Sequence, residues 1–380
     1  MVRFLHIVSD DKFIDMAISL FRDVGGKHRF VCVVRRGRDS LEYIKSDCVE
    51  CCSFTETQSI IKDGSYDAIC FHKLYSENYP FVLSVPERAK VIWLSWGADV
   101  YYAWNGFSPL IRVRLYRPLT RRILDRDVSL KKRIKRCIKH ILPLSRNQRV
   151  NNQLQAQVIS RVDMCSTIIR SEYDYLRKLP FFNAAFFPFN YVRDWKEGAF
   201  SRYNPDGDFI LVNNSADLSG NHFDVLDLLK RRGIVNPRLI PVSYGKDKEK
   251  IQSLIGPYVR KNIDVLLADY LDINDYRGRV SLCRVAVFGH IRQQAMGNII
   301  LCLRLGMKVF LYKNSLVYHY FKKVNVTVFS IEDDLLQSNV DEPLTESIVS
   351  HNVKILSDLY DYDLVKSRVR QSLEKNGLMI

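Results

Sequence analysis

Twice along this chain, short apolar runs alternate with stretches whose apolar residues recur at helical spacing. That alternation leaves little choice of fold but a parallel sheet with helices on both faces. In the first half the predicted strands are Val2–Val8, Phe30–Val34, Ala68–Phe71 and Val91–Leu94, with Asp163–Ile168 as a later one. Helical patterns over 15–23 and 58–62 lie between them. Residues 188–208 hold two prolines and two glycines and few aliphatics, and are predicted to be a linker. The pattern then restarts, with strands at 209–212, 238–241, 285–288, 308–311 and 325–329 and helices at 223–231, 248–255 and 298–305. The predicted domains are therefore 1–195 and 206–343, and the helices of 344–380 are free to cross back to the first.

The stretch 288–300 is the most telling locally. The apolar strand Val285-Ala286-Val287-Phe288 enters a polar turn, and the turn opens an amphipathic helix. A helix start presents free N–H groups and the positive end of the helix dipole, which suits an anion such as a diphosphate. Arg292 adds a planar, always-charged donor fork beside Gln293 and Gln294, and Gly297 lets a ligand approach the backbone. A second turn of this type, Asn213 to His222, follows the strand 209–212 and carries Asn213, Asn214, Ser215 and Asp217. Short polar residues of this kind cap helices, and they also line the carboxyl ends of strands where ligands bind in open α/β sheets. Two such turns favour one nucleotide site shared between them.

Composition narrows the class. The chain has 380 residues, 47% of them hydrophobic, and no run of eighteen apolar residues, so no transmembrane helix is expected. The N-terminus reads as a first strand rather than a signal peptide. Nine scattered cysteines imply reduced thiols in the cytoplasm, and the cluster Cys48, Cys51 and Cys52 lacks partners at zinc spacing. No metal and no cofactor are expected. Asp206-Gly207-Asp208 reads as a turn before a strand. The net charge of +15 is concentrated between Arg112 and Arg149, where fourteen Lys/Arg face only Asp125 and Asp127. Arg121, Arg122, Lys131, Lys132, Arg133, Lys135, Arg136 and Lys139 interleave there with aliphatics at helical spacing. This predicts a basic surface on anionic membrane lipids. Nucleic acid, the rival partner, is not expected, because no binding signature or aromatic interleaving accompanies the charge.

Four segments carry a resemblance. They are Trp96-Gly97-Ala98-Asp99 with Tyr101; Asn213-Asn214-Ser215-Ala216-Asp217 with His222; Pro241 with Tyr244-Gly245; and Arg292-Gln293-Gln294-Ala295-Met296-Gly297. In order and spacing the chain resembles the Fuc4NAc transferases of enterobacterial common antigen synthesis, glycosyltransferase family 56, over roughly residues 90–330. Two positions depart from the family: its glycine at the first turn is Asn213 here, and the threonine after its last glycine is Asn298. The resemblance implies a GT-B fold, two Rossmann-like domains with a cleft between them. It further implies transfer of a 4-amino-4,6-dideoxyhexose from a dTDP-sugar to a polyprenyl-diphosphate-linked oligosaccharide, at the cytoplasmic face of the inner membrane. The first domain would hold the acceptor and the second the donor.

The expected roles follow. Asn213, Asn214, Ser215, Asp217, Tyr244, Gly245, Arg292, Gln293, Gln294, Gly297 and Asn298 would bind the donor. Asp99, at a strand end, is the first candidate for the base that takes the acceptor proton. An Asx-type cap is the plainer reading of Asp99, and His6, Asp10 and Asp11 are the alternative bases. The competing class is a non-catalytic protein on a degenerate GT-B fold that binds a membrane surface or nucleic acid.

Overall fold

A computed structural model describes residues 1–11, 13–34, 40–103, 115–126, 146–192 and 207–378. They form two compact units. The first holds the described residues of 1–112, 144–195 and 358–380; the second holds those of 113–143 and 196–357.

Unit 1 is built on seven parallel strands: β1 (Arg3–Val8), β2 (Lys27–Val33), β3 (Val49–Cys52), β4 (Ala68–His72), β5 (Lys90–Leu94), β6 (Met164–Ser166) and β7 (Ala185–Phe186). Their order across the sheet is β3-β2-β1-β4-β5-β6-β7. Strands β1, β4 and β5 are almost wholly buried, as runs covered by helices on both faces must be. The last helix, Tyr362–Lys375, returns to this unit and lies on the helix Ile14–Val24. Arg370 there donates to the carbonyls of Asp23 and Val24, so a cation completes the C-terminus of the helix it crosses.

Unit 2 repeats the plan with six parallel strands: β8 (Phe209–Val212), β9 (Arg238–Pro241), β10 (Val265–Leu267), β11 (Cys283–Phe288), β12 (Lys308–Leu311) and β13 (Phe329–Ser330), in the order β10-β9-β8-β11-β12-β13. In both sheets the direction of winding reverses at one strand pair, β1/β4 in the first and β8/β11 in the second. Ligands in open α/β sheets bind beyond the carboxyl ends of such pairs.

One boundary differs from the sequence-based expectation, which keeps 112–149 in the first domain. The helix Pro118–Arg126 packs on the helix His222–Arg231 of unit 2. Ile123 enters the core of that unit, with Tyr116, Leu119 and Leu124 packed against it. The aliphatic side of this helix therefore faces protein rather than lipid, while Arg121 and Arg122 are exposed. Asp224 holds the start of this helix, accepting hydrogen bonds from Leu119 N, Thr120 N and Thr120 Oγ1 at 2.7–2.9 Å. The other basic residues expected to face a membrane, Lys131, Lys132, Arg133, Lys135, Arg136 and Lys139, lie outside the described residues. Among the described residues no helix is long and apolar enough to cross a membrane.

Candidate functional site

The loops after β9, β8 and β11 are neighbours because their strands are, and hydrogen bonds tie them into one rim. Asn213 takes a left-handed backbone (φ 59°), which asparagine tolerates better than most residues, and its Oδ1 accepts from Gly289 N at 2.9 Å. Asn221, also left-handed, is fully buried. Its side chain accepts from Arg117 N at 2.7 Å and donates to the carbonyls of Gly289 (2.7 Å), Leu115 (3.1 Å) and Ser219 (3.2 Å). One asparagine thus joins the β8 loop, the β11 loop and the start of the basic segment. On the other side Ala216 N donates to Tyr244 O at 2.6 Å, Asp247 N donates to Ala216 O, and Asn214 Nδ2 donates to Tyr244 Oη at 3.1 Å. Gly245 is required by this closeness: a Cβ there would stand 2.6 Å from Ala216 O.

Asp217 organises the charges. It caps the turn at Leu218–Gly220 through Ser219 N and faces Arg292 Nη2 at 3.7 Å and Lys246 Nζ at 3.8 Å. Burial acts to raise its pKa, but Lys246, the Ser219 N–H and Arg292 together hold it below the usual carboxylate value. Asp247 Oδ2 accepts from Leu218 N at 2.9 Å in the same turn, so two cations stand among two carboxylates whose oxygens are engaged by the turn itself. Ser219 Oγ lies 2.6 Å from Gln294 Oε1, joining the Arg292 loop to the Asp217 turn. The helix Met296–Arg304 begins at once, after Ala295 in the left-handed region, with no side chain capping its start. Gly297 is exposed there, and a Cβ on it would meet nothing within 4 Å. Gln293 is buried, and Asn298 accepts from Tyr276 Oη at 2.7 Å.

Sequence reasoning does not find several members of this rim. Asn221 and Gly289 do the joining, Lys246 adds a charge, and His290 is a buried neutral imidazole whose pKa burial pushes down to about 3. Asn221 stands directly before a helix and Gly289 directly after a strand, so their positions are the available signal. Among the described residues no group of three or more His, Cys, Asp or Glu is placed to hold a metal ion.

Asp99, the expected base, has a different place. It is fully buried. Its Oδ2 accepts from Trp93 Nε1 at 2.8 Å and Leu74 N at 3.0 Å, and its Oδ1 accepts from Trp96 N at 2.9 Å. Both oxygens are occupied and shielded, so Asp99 is the cap that fixes the loops after β4 and β5. Of the alternatives, His6 is fully buried, and Asp10 accepts from the backbone of 42–44. Asp11 keeps 29% of its side chain exposed, at the end of β1. Asp99→Asn would turn an amide N–H toward a buried donor. A loss of roughly 2–4 kcal/mol in the stability of unit 1 is expected, read by urea unfolding, with nucleotide affinity kept. Unchanged stability in that variant would remove the capping role.

Residues 199–356 match the family described as 4-alpha-L-fucosyltransferase glycosyl transferase group 56. Among solved structures, the chain is similar along nearly its whole length to HepE of Anabaena, solved with UDP and glucose. That likeness has a TM-score of 0.64 at 10% identity and covers 99% of this chain and 100% of that one. A sucrose-phosphate synthase from Thermosynechococcus elongatus gives a TM-score of 0.60 at 8% identity, covering 99% of each chain. A glycosyltransferase from Rickettsia africae gives 0.59 at 11%, also covering 99% of each. At these identities the likeness speaks for the fold, and the fold is GT-B, two parallel-sheet α/β units. The chain is a glycosyltransferase whose residues 199–356 match group 56.

Proposed function

We propose that the chain transfers a 4-amino-4,6-dideoxyhexose of the Fuc4NAc type from a dTDP-sugar to a polyprenyl-diphosphate-linked oligosaccharide, at the cytoplasmic face of a bacterial inner membrane. The observation that carries the donor half is the placement of Arg292. It is 7% exposed, stands at the winding reversal of the second sheet, faces Asp217, and directly precedes an uncapped helix start. In the transfer, an acceptor hydroxyl oxygen bonds to the sugar's anomeric carbon while the bond from that carbon to the diphosphate breaks, and the hydroxyl proton passes to water or to the departing diphosphate. The diphosphate leaves with the electron pair. Preorganised donors aimed at the growing charge are what lower such a barrier, and Arg292, Lys246 and the N–H groups at 296–298 form that set. HepE, similar in fold, was solved with UDP and glucose, which fits a nucleotide-sugar donor here. The four motif segments of family 56 favour the dTDP-amino-sugar. The lipid-linked acceptor is supported by the charge of 112–149, of which Arg121 and Arg122 stand exposed on unit 2. Membrane attachment on this reading is electrostatic and weakens with salt.

Titration of dTDP, UDP and GDP tests the donor. Tightest binding of dTDP is expected, with Arg292→Ala weakening it by roughly 1.5–3 kcal/mol, the range for a hydrogen bond to a charged group. Equal dTDP affinity in a folded Arg292→Ala protein would overturn the assignment.

A further inference from the structure

Unit 1 has its own winding reversal, at β1/β4, and a constellation that the donor site does not use lies beyond it. His28 Nε2 is 2.9 Å from the Gly25 carbonyl, His28 Nδ1 is 3.0 Å from His6 Nε2, and His6 Nδ1 is 3.1 Å from His72 Nε2. His72 Nδ1 is 3.0 Å from Tyr191 Oη, and Trp96 Nε1 is 2.5 Å from the same hydroxyl. The two end groups and the burial of the rings together place the protons. A carbonyl can only accept and an indole N–H can only donate. With the rings kept neutral by burial, His28, His6 and His72 each carry the proton on Nε2, and the Tyr191 hydroxyl donates to His72. Five hydrogen bonds run one way, Trp96 to Tyr191 to His72 to His6 to His28 to Gly25, with none left over.

The chain of imidazoles holds Trp96 in place. Phe13 and Tyr191 meet its indole edge-on, with centroids 5.7 and 5.5 Å away. Lys73 follows β4 directly. Its backbone is left-handed (φ 74°), a conformation that strains a residue with a side chain. That strain sets the Lys73 ammonium 4.6 Å from the Trp96 ring centre and 3.8 Å from Asp11. An aromatic face, a cation and a part-exposed carboxylate thus converge beyond the carboxyl ends of β1, β4 and β5. Such a set matches a ligand with a sugar ring to lie on an aromatic face and an anionic group to meet the ammonium.

We propose that this edge of unit 1 is a second ligand site, for a sugar bearing a phosphate or diphosphate, in which Trp96 and Lys73 touch the ligand and Tyr191, His72, His6 and His28 position Trp96. The site rests on the transfer reading above, since a glycosyl-diphosphate acceptor belongs to that chemical class.

The test is calorimetric titration of the full chain with hexose and N-acetylhexosamine 1-phosphates, the same sugars without phosphate, and inorganic phosphate. At least one sugar phosphate is expected to bind at least tenfold tighter than its sugar or phosphate alone. Lys73→Gly removes the ammonium while relieving the left-handed strain, so the variant folds, and tenfold weaker binding is expected. His72→Gln can still donate to His6 and accept from Tyr191, and should bind within about threefold of wild type. His72→Phe breaks the chain and should lose tenfold, with a shift in tryptophan emission. dTDP affinity is expected to stay unchanged in all three variants, which separates this site from the donor site. Failure of dTDP to bind wild type, with sugar phosphate still bound, would sink the donor reading and leave this site standing. No sugar-phosphate binding by wild type, binding equal to that of inorganic phosphate, or equal binding in Lys73→Gly would each overturn the proposal.

Discussion

Below pH 6.5 the protein is expected to lose stability steeply, before its carboxylates begin to titrate. Four histidines, His6, His72, His222 and His290, are at most 1% exposed, and His28 is half-buried. Burial lowers the pKa of each, to about 3 for His72 and His290 and to about 4 for His222. Burial is the first cause in every case. For His6 the neighbouring His28 and His72 push the same way, and for His28 the Gly25 carbonyl pushes back. A histidine whose folded pKa is depressed binds its proton more readily when unfolded. Its contribution is whole above the unfolded value near 6.5 and is lost as pH falls toward the folded value. At pH 5.5 each fully buried histidine costs about 1.4 kcal/mol, so the four together cost about 6 kcal/mol. That is comparable with the whole stability of an ordinary domain, about 5–15 kcal/mol. Urea unfolding at pH 7.5, 6.5 and 5.5 should show a modest fall between the first two, about 1.5 kcal/mol for the four rings, and a collapse at the third. A midpoint at pH 5.5 equal to that at 7.5 would mean that these rings are not held neutral.

The strands that stand out in the sequence are the ones buried on both faces. β1, β4, β5, β8, β11 and β12 are continuous apolar runs, and the predicted positions agree to within about two residues. The strands it hides, β3, β7 and β10, are short, and all three stand at sheet edges. β3 reads Val49-Glu50-Cys51-Cys52 with two exposed residues, so no apolar period marks it. The two turns of unit 2 are legible because a polar stretch joining a buried strand to an amphipathic helix marks the carboxyl end of a parallel sheet. Asp99 is misleading because a carboxylate at a strand end looks the same in sequence whether it faces a ligand or caps a loop. Only the positions of Trp93 and Leu74, six and twenty-five residues away, show that its oxygens are taken. The helix Pro118–Arg126 misleads for a similar reason. Its aliphatic period fits a lipid surface and a protein core equally well, and Asp224 and Asn221, about a hundred residues on, decide the matter.

Two glycines of the rim on unit 2 should respond in opposite ways to the same added methyl group. At Gly289 an ideal Cβ would stand 2.3 Å from the Gly220 carbonyl oxygen and 2.8 Å from Val225 Cγ2. The first is backbone and cannot swing aside, so the β8 and β11 loops would have to part. Parting them strains the hydrogen bonds that Gly289 makes to Asn213 and Asn221. Gly289→Ala is therefore expected to cost unit 2 roughly 3 kcal/mol or more, the upper range for overpacking joined to lost buried hydrogen bonds. Nucleotide binding should fall with it. At Gly297 the methyl group meets open space inside a helix, where alanine is favoured over glycine by about 0.5–1 kcal/mol. Gly297→Ala should be as stable as wild type or more so. Its nucleotide affinity should nevertheless drop at least fivefold, because the methyl group takes the space through which a diphosphate would reach the helix start. Thermal unfolding and dTDP titration of the two variants separate the cases. A Gly289→Ala protein as stable as wild type would remove the close approach of the two loops. A Gly297→Ala protein with full dTDP affinity would move the diphosphate away from this helix.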